Sequence, residues 1–242
     1  FFPQESHQCG PAALATVLGA AGVDVTPEQL VAQTYLPDRR GSLQLELIAS
    51  ARTHRRIPYV IDPTLAALLA EVEAGNPVLV LQDLGVGPIS LWHYAVVIGF
   101  AHEPAHLVLR SGVTQRQVVS AAAFLRSWQK ADSWAAVILP PDRLPATADA
   151  TRYVESVVPL ETLGDDKTAL AAYTIALTRW PDHPVALFGA ANVAHRLGKL
   201  ESAQRDYQRL LELAPGNAIV LNNLAEVLLD RGCPRLALRY VE

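Results

Sequence analysis

The sequence predicts an α+β domain over residues 1–142, followed by an all-α domain of linker and helical repeats over residues 143–242. In the first part, helix-like periodicity comes before strand-like runs; after about Asp142 every periodic segment is helical. Three glycines in the second part recur every 34 residues. The stretch PPDRLPATADAT between the two parts carries three prolines and no hydrophobic periodicity, which predicts a linker or a wrapped connection.

Within the first part, helices are expected first and an antiparallel sheet afterwards, which is an α+β layout. Small residues on several faces of the first helix indicate that it is buried. The predicted helices are Gly10–Ala21, Pro27–Thr34, Ser42–Thr53 and Thr64–Ala74. The predicted strands are Val78–Leu81, His93–Gly99, Leu107–Leu109 and Val137–Leu139.

The internal repeat resembles the tetratricopeptide repeat, which packs two helices per unit. Glycine is suited to end the first helix, alanine to allow close helix crossing, and proline to stop the second helix. The recurring positions are Gly164, Gly198 and Gly232; Ala169, Ala203 and Ala237; Tyr173 and Tyr207; Pro181 and Pro215. One complete repeat, about 184–217, lies between two partial ones. An array this short needs a neighbour to cover its ends.

A repeat of this type is expected to bind a protein partner through its concave face. The side chains that we expect there are Asn192, His195, Asn223 and Glu226.

Composition narrows the classes of function. Half of the 242 residues are hydrophobic and 18% are charged, which predicts a sizeable buried core. A net charge of −4 is not the excess of basic residues that is typical of nucleic-acid-binding proteins. No apolar run reaches the roughly 18 residues of a membrane span. Because the sequence starts at Phe1 and contains no Met, we expect that other residues, such as an export signal, precede it.

Cys9 is the first candidate for chemistry. It lies just before Gly10-Pro11 and a buried helix, where the helix dipole and free N–H groups favour a thiolate and can hold an oxyanion. The alternative is a small buried hydrophobic residue. The other cysteine of the sequence, Cys233, is near the opposite end of the chain, so neither a disulfide nor a zinc site is predicted. No metal or other cofactor is expected.

His93 is the candidate base. It lies where the loop GVGPISLW enters the hydrophobic strand YAVVIGF, a position from which an imidazole can face a helix N-terminus across a cleft. The alternative is a core histidine bonded to the backbone. The remaining histidines are less suited: His7, His54, His102, His106, His183 and His195.

These motifs together resemble the C39 (bacteriocin-processing) and C39-like cysteine peptidases, which have a papain-like fold. The run Gln4–Leu14 (QESHQCGPAAL) is similar to the family's nucleophile motif, and Arg40-Gly41-Ser42 to its second segment. The runs Asn76–Leu81 and His93–Phe100 are similar to its paired strands. The resemblance implies a bacterial, exported hydrolase in which Cys9 is the nucleophile and His93 the base.

The same resemblance implies that Gln4 donates to the oxyanion together with the backbone N–H of Cys9. Gln8, which adjoins the nucleophile, is the competing residue.

The third triad position departs from the family pattern. Arg110 stands where the family has an acidic residue, Ser111 follows it, and a guanidinium cannot accept a hydrogen bond from imidazole. Three interpretations stay open. Ser111 or a backbone carbonyl orients His93 in a working dyad; Asp83 or Glu103 supplies the carboxylate; or the domain is an impaired peptidase that binds peptides.

The sequence thus supports two main hypotheses of different classes. The first is a cysteine peptidase that cleaves a protein or peptide substrate recruited by the repeats. The second is a binding scaffold without turnover. A transferase that uses the same thioester is a weaker third.

Overall fold

The computed structural model describes Phe2, residues 8–37 and residues 41–240. Contacts divide the chain into two compact units. The first unit runs up to Pro140 and also includes Pro145–Ala148; the second includes Pro141–Leu144 and continues from Asp149. The predicted fold class is confirmed: a mixed helix and antiparallel-sheet domain is followed by a helical repeat domain. The predicted boundary at residue 142 lies inside the short interleaved segment.

The first unit contains helices α1 to α5 and strands β1 to β6 in the described ranges. The helices are α1 (Cys9–Ala20), α2 (Pro27–Thr34), α3 (Gln44–Thr53), α4 (Leu65–Glu73) and α5 (Ala121–Gln129). The strands are β1 (Ile57–Val60), β2 (Val78–Asp83), β3 (Trp92–His102), β4 (Ala105–Ser111), β5 (Thr114–Ser120) and β6 (Ala135–Leu139).

The sheet is antiparallel throughout, in the order β1-β6-β2-β3-β4-β5. Its central strands β2 and β6 are buried along their whole length, as their continuous apolar sequences require. β3 pairs with β2 and β4, so the predicted base His93 lies near one end of an interior strand. The sheet therefore gives His93 a fixed backbone.

α1 packs against one face of this sheet. Leu14 and Val17 of the helix share a core cluster with Leu79, Tyr94 and Val96 of β2 and β3. The helix N-terminus approaches the α2–α3 connection so closely that a Cβ on Gly10 would lie 2.4 Å from Oγ of Ser42. A glycine at position 10 is therefore needed for α1 to take its place.

Three elements of the first unit escaped sequence analysis. β5 is mostly exposed and polar, so it carries no alternating pattern. β1 contains Pro58, which weakens a strand signal, and lies at the edge of the sheet where a missing N–H is tolerated. α5 begins at the Ser120 cap, whose hydroxyl accepts from the N–H of Ala123.

A buried carboxylate holds the Pro145–Ala148 segment to the first unit. Glu71 of α4 is fully buried, and its oxygens accept four hydrogen bonds. The donors are Nδ2 of Asn76 (2.6 Å), N of Ala146 (3.1 Å), and N and Oγ1 of Thr147 (2.8 and 2.6 Å). Tyr59 adds a bond to the carbonyl of Thr147. The proline-rich stretch is therefore a wrapped connection over these four residues.

The second unit consists of consecutive helices in its described residues. They are α6 (Ala150–Thr162), α7 (Asp166–Arg179), α8 (Pro184–Arg196), α9 (Leu200–Leu213), α10 (Ala218–Asp230) and α11 (Pro234–Leu238). Gly164, Gly198 and Gly232 each follow the first helix of a pair with φ between 69° and 74°, the left-handed conformation that ends helices. The predicted 34-residue repeat is confirmed.

None of the helices in the described ranges combines the length and the apolar character needed to cross a membrane.

We expect that replacing the buried carboxylate destabilises the first unit. In Glu71→Gln an amide group would face the donors that bond to the carboxylate in the wild type. Because hydrogen bonds to charged groups contribute about 1.5–3 kcal/mol each, the free energy of unfolding should fall by about 2–4 kcal/mol. Urea unfolding followed by tryptophan fluorescence measures it, since Trp92, Trp128 and Trp134 are in this unit.

Glu73→Gln is the matched control, because Glu73 is exposed on the same helix and its replacement should change stability by less than about 0.5 kcal/mol. Equal midpoints for the two variants would show that the buried carboxylate does not hold the segment.

Candidate active site

Cys9 is the first residue of α1 and is half-buried against the core cluster. Three backbone N–H groups lie within hydrogen-bonding reach of its sulfur: its own, that of Gly10 and that of Tyr94. Since Tyr94 follows His93 directly in β3, the thiol lies beside the peptide group next to the candidate base. The helix N-terminus and the strand thus meet at Cys9.

The charge state of Cys9 differs from the sequence expectation. The three N–H groups lower the pKa of the thiol, as expected at a helix N-terminus, but burial raises it by more. The net effect is a pKa above the ordinary value of a cysteine, because the apolar surroundings penalise a thiolate more than the N–H groups stabilise it.

His93 is held by Ser111. Nε2 of His93 lies 2.8 Å from Oγ of Ser111, so this ring nitrogen is engaged. Arg110 lies opposite Val96 and lines a cavity with Thr16 of α1, whereas the next residue, Ser111, has the bond to His93. A register irregularity between Leu109 and Ser111 marks this end of β4.

Burial lowers the pKa of His93. Ser111 is neutral, so its bond orients the ring without favouring the imidazolium. Together with the raised pKa of Cys9, this shift favours a neutral thiol and imidazole over a thiolate–imidazolium pair.

Asp83 and Glu103 are the acidic candidates for the third triad position. Oδ1 of Asp83 accepts from the N–H groups of Gly85 and Leu91, both at 2.8 Å, and these bonds lower the pKa of that carboxyl group. Glu103 follows the far end of β3, about 30 Å along the strand from His93 at roughly 3.3 Å per residue. Arg110 lines a cavity of about 570 Å³ with Thr16 and Val25. Of these candidates, Ser111 has the bond to His93.

The predicted oxyanion donor Gln4 lies outside the described residues, as does Arg40 of the second motif segment. The competing Gln8 precedes α1 and is half-buried; its side chain makes no capping bond, and its carbonyl accepts from N of Ala12.

Sequence analysis missed a polar group of side chains behind the nucleophile. The hydroxyl of Tyr94 donates to the carbonyl of Ser42 (3.3 Å), and burial, Cys9 and Glu46 all raise the pKa of that phenol. One oxygen of Glu46 and the hydroxyl of Ser42 are buried and have no hydrogen-bond partner among the described residues. The Gly41-Ser42 motif followed by a leucine-rich helix was the only sequence signal that pointed to this region.

The four polar residues predicted for the repeat face are bonded to other repeat residues. Oδ1 of Asn192 accepts from the hydroxyl of Tyr207 and from Nδ2 of Asn223. The other two also have partners: His195 bonds to Asp230 through Nε2 (2.7 Å), and Glu226 accepts from Asn222.

Over the described ranges, no group of three or more His, Cys, Asp or Glu side chains has the arrangement of a metal site.

Comparison with known proteins places these features in a family. A family model described as the Peptidase_C39 like family matches residues 1–136, and a tetratricopeptide repeat model matches residues 162–217 and 191–240. No curated protein matches the sequence.

Three solved structures illustrate the likeness. The peptidase domain of Streptococcus ComA, a bifunctional ABC transporter involved in quorum sensing, is 20% identical (TM-score 0.47; 57% of this chain, 96% of that one). A protein from Bacillus anthracis described as a C39-like peptidase is 17% identical (0.46; 57% and 91%). YrrB, a TPR protein with an unusual peptide-binding site, is 28% identical (0.36), with 38% of this chain aligned to about half of that one (47%).

Since the family model matches more than half of the 242 residues, the chain belongs to the Peptidase_C39 like family, with tetratricopeptide repeats after its peptidase-like domain.

Proposed function

We propose that the first unit is a cysteine hydrolase that cleaves peptide bonds, with Cys9 as the nucleophile and His93 as the general base. One observation carries the proposal: Ser111 occupies Nε2 of His93, while the sulfur of Cys9 contacts the peptide N–H next to that histidine. Nucleophilic catalysis would require the other ring nitrogen, Nδ1, to reach the thiol.

The proton steps follow from the neutral resting pair. As Sγ of Cys9 attacks the carbonyl carbon of the scissile bond, Nδ1 of His93 takes the thiol proton. His93 then gives that proton to the departing amine, which leaves a thioester. Water attacks the thioester, and its proton passes through His93 back to the sulfur. The cycle ends with an acid, an amine and the original thiol.

The N–H groups at the start of α1 have two successive roles in this scheme. In the free enzyme they lower the pKa of the Cys9 thiol. As the carbon–sulfur bond forms, negative charge moves to the carbonyl oxygen, where the N–H of Cys9 and the Gln4 side chain would donate to it. Ser111 is a positioning residue, because it touches the imidazole and not the substrate.

The alternative is a peptide-binding scaffold with little or no turnover. It is favoured by the two pKa shifts, since burial raises the pKa of Cys9 and lowers that of His93, and the partner of Nε2 is a neutral hydroxyl. In either case the repeats would recruit a protein partner, and a ligand of Asn192 or Asn223 would have to replace their present bonds.

Digestion of a peptide library derived from a bacterial proteome tests the hydrolase. Cleavages found by mass spectrometry with the full chain should disappear with Cys9→Ala and fall at least 100-fold with His93→Ala, the lower end of the usual contribution of a general base. If the wild-type chain yields no cleavage that Cys9→Ala lacks, the hydrolase proposal fails. Equal enrichment of peptides on both proteins would then support the scaffold.

The pH dependence of Cys9 alkylation should reflect its neutral resting state. Because the pKa of Cys9 is raised, the rate of reaction with iodoacetamide should rise in one step with a midpoint above about 8.5, the ordinary thiol value. Because the pKa of His93 is lowered, no shoulder should appear between about pH 5 and 7. Peptide mapping by mass spectrometry gives the rate at each cysteine.

Cys233 is the internal reference for the alkylation rate. A plateau in the rate of Cys9 alkylation at acidic pH would instead reveal a preformed thiolate–imidazolium pair.

A carboxylate at position 111 should convert the neutral pair into an ion pair. In Ser111→Asp, an acceptor with negative charge near Nε2 should raise the pKa of His93 by about 1–3, and the imidazolium in turn lowers the pKa of Cys9. We expect Cys9 alkylation at pH 6.5 to become about tenfold faster or more.

Ser111→Asn is the matched control, since it offers a neutral acceptor of the same size and should leave the pH profile without a shoulder. If Cys9 alkylation were accelerated equally in both variants, a negative charge at position 111 would not be the cause of the acceleration.

A further inference from the structure

Five large apolar side chains are exposed within nine residues that comprise the β2–β3 connection and the first residue of β3. We call residues 84–92 the apolar loop; its sequence, LGVGPISLW, contains no charged residue. The exposed side chains are Leu84 (45%), Val86 (85%), Ile89 (73%), Leu91 (60%) and Trp92 (55%). Scattered exposed hydrophobic residues are ordinary, but a contiguous group indicates an interaction surface.

The apolar loop has a fixed backbone. Asp83 accepts from N of Gly85 and N of Leu91, and N of Leu84 donates to O of Leu91. Nζ of Lys130 donates to O of Gly85 at 2.9 Å. A Cβ on Gly85 would lie 1.8 Å from the carbonyl oxygen of Ile89, so only glycine fits there. An ordered loop loses little conformational entropy when its side chains bind a ligand.

The loop is continuous with the candidate site. Its last residue, Trp92, opposes Asp83 in the sheet and directly precedes His93, which is itself half-buried. In the proposed mechanism His93 delivers a proton to the departing amine, so it must lie on that side of the scissile bond. The chain that leads into His93 therefore borders the part of the substrate that leaves first.

We propose that the apolar loop binds apolar side chains of the substrate on the leaving-amine side of the scissile bond. This inference rests on the proposed function and names the substrate class: a polypeptide with hydrophobic residues just after the cleaved bond. Continuity with a half-buried histidine favours an extended chain over a flat lipid surface, because a chain can reach both the loop and the base.

Two alkylating reagents test the loop without a known substrate. Iodoacetamide and N-hexyl iodoacetamide transfer the same carbon to sulfur, but the second carries a hydrocarbon chain on the amide nitrogen, the side where a leaving amine would be. At pH 9, N-hexyl iodoacetamide should react with Cys9 about tenfold faster than iodoacetamide, the gain from burying roughly two methylene groups. Cys233 should show no preference.

The triple variant Val86→Ser, Ile89→Ser, Leu91→Ser should reduce the preference at Cys9 to less than twofold and leave the iodoacetamide rate unchanged. Val118→Ser, which removes a 56% exposed apolar side chain from β5, is the matched control and should keep the full preference. A wild-type chain that shows no preference, or a triple variant that retains it, overturns the inference.

Further outcomes separate this inference from its rivals. If the apolar preference is present but the peptide library is never cleaved, the hydrolase proposal fails and the loop remains a peptide-binding surface. If the preference is absent while the wild-type chain, and not the triple variant, sediments with phosphatidylcholine vesicles, the occupant is a lipid surface. Loop-dependent dimerisation in sedimentation velocity, again without the preference, identifies a second copy of the chain.

Discussion

The close approach of α1 to β3 is the contact on which the candidate site depends. Leu14 and Val17 pack the helix onto the sheet, and Gly10 lets its first turn come against Ser42. Only in this position does the sulfur of Cys9 meet the N–H of Tyr94, one residue from His93. Apolar burial thus supplies the energy, and the missing Cβ of Gly10 supplies the space, for a contact between groups 85 residues apart in the chain.

The second constraint is electrostatic. The same packing half-buries both Cys9 and His93, and burial disfavours the charged form of each. Three N–H groups partly offset this for the sulfur, whereas the hydroxyl of Ser111 gives the imidazole orientation but no charge. On the proposed mechanism the proton therefore moves as the substrate reacts, and the barrier includes the separation of charge that a carboxylate would have eased.

The repeat unit has a different relation between structure and binding. Its polar residues Asn192, Asn223 and Tyr207 already satisfy one another, so that a ligand gains only the difference between new and existing hydrogen bonds. The apolar loop of the first unit has no such cost, because its side chains are exposed and its backbone bonds to Asp83 and Lys130 need not be replaced. Hydrophobic contact is the stronger source of affinity there.

Local signals were sufficient for much of this protein. The 34-residue period, the capped helix at Pro27 and the apolar runs of β2 and β3 each lie within a short stretch, so the sequence alone determined the fold class and singled out Cys9 and His93. Only the tertiary structure decided what surrounds them. That Ser111 and not Arg110 faces His93 depends on strand register, and the neutral charge state depends on burial. Strand register and burial both depend on residues that are distant in sequence, so no local pattern predicts them.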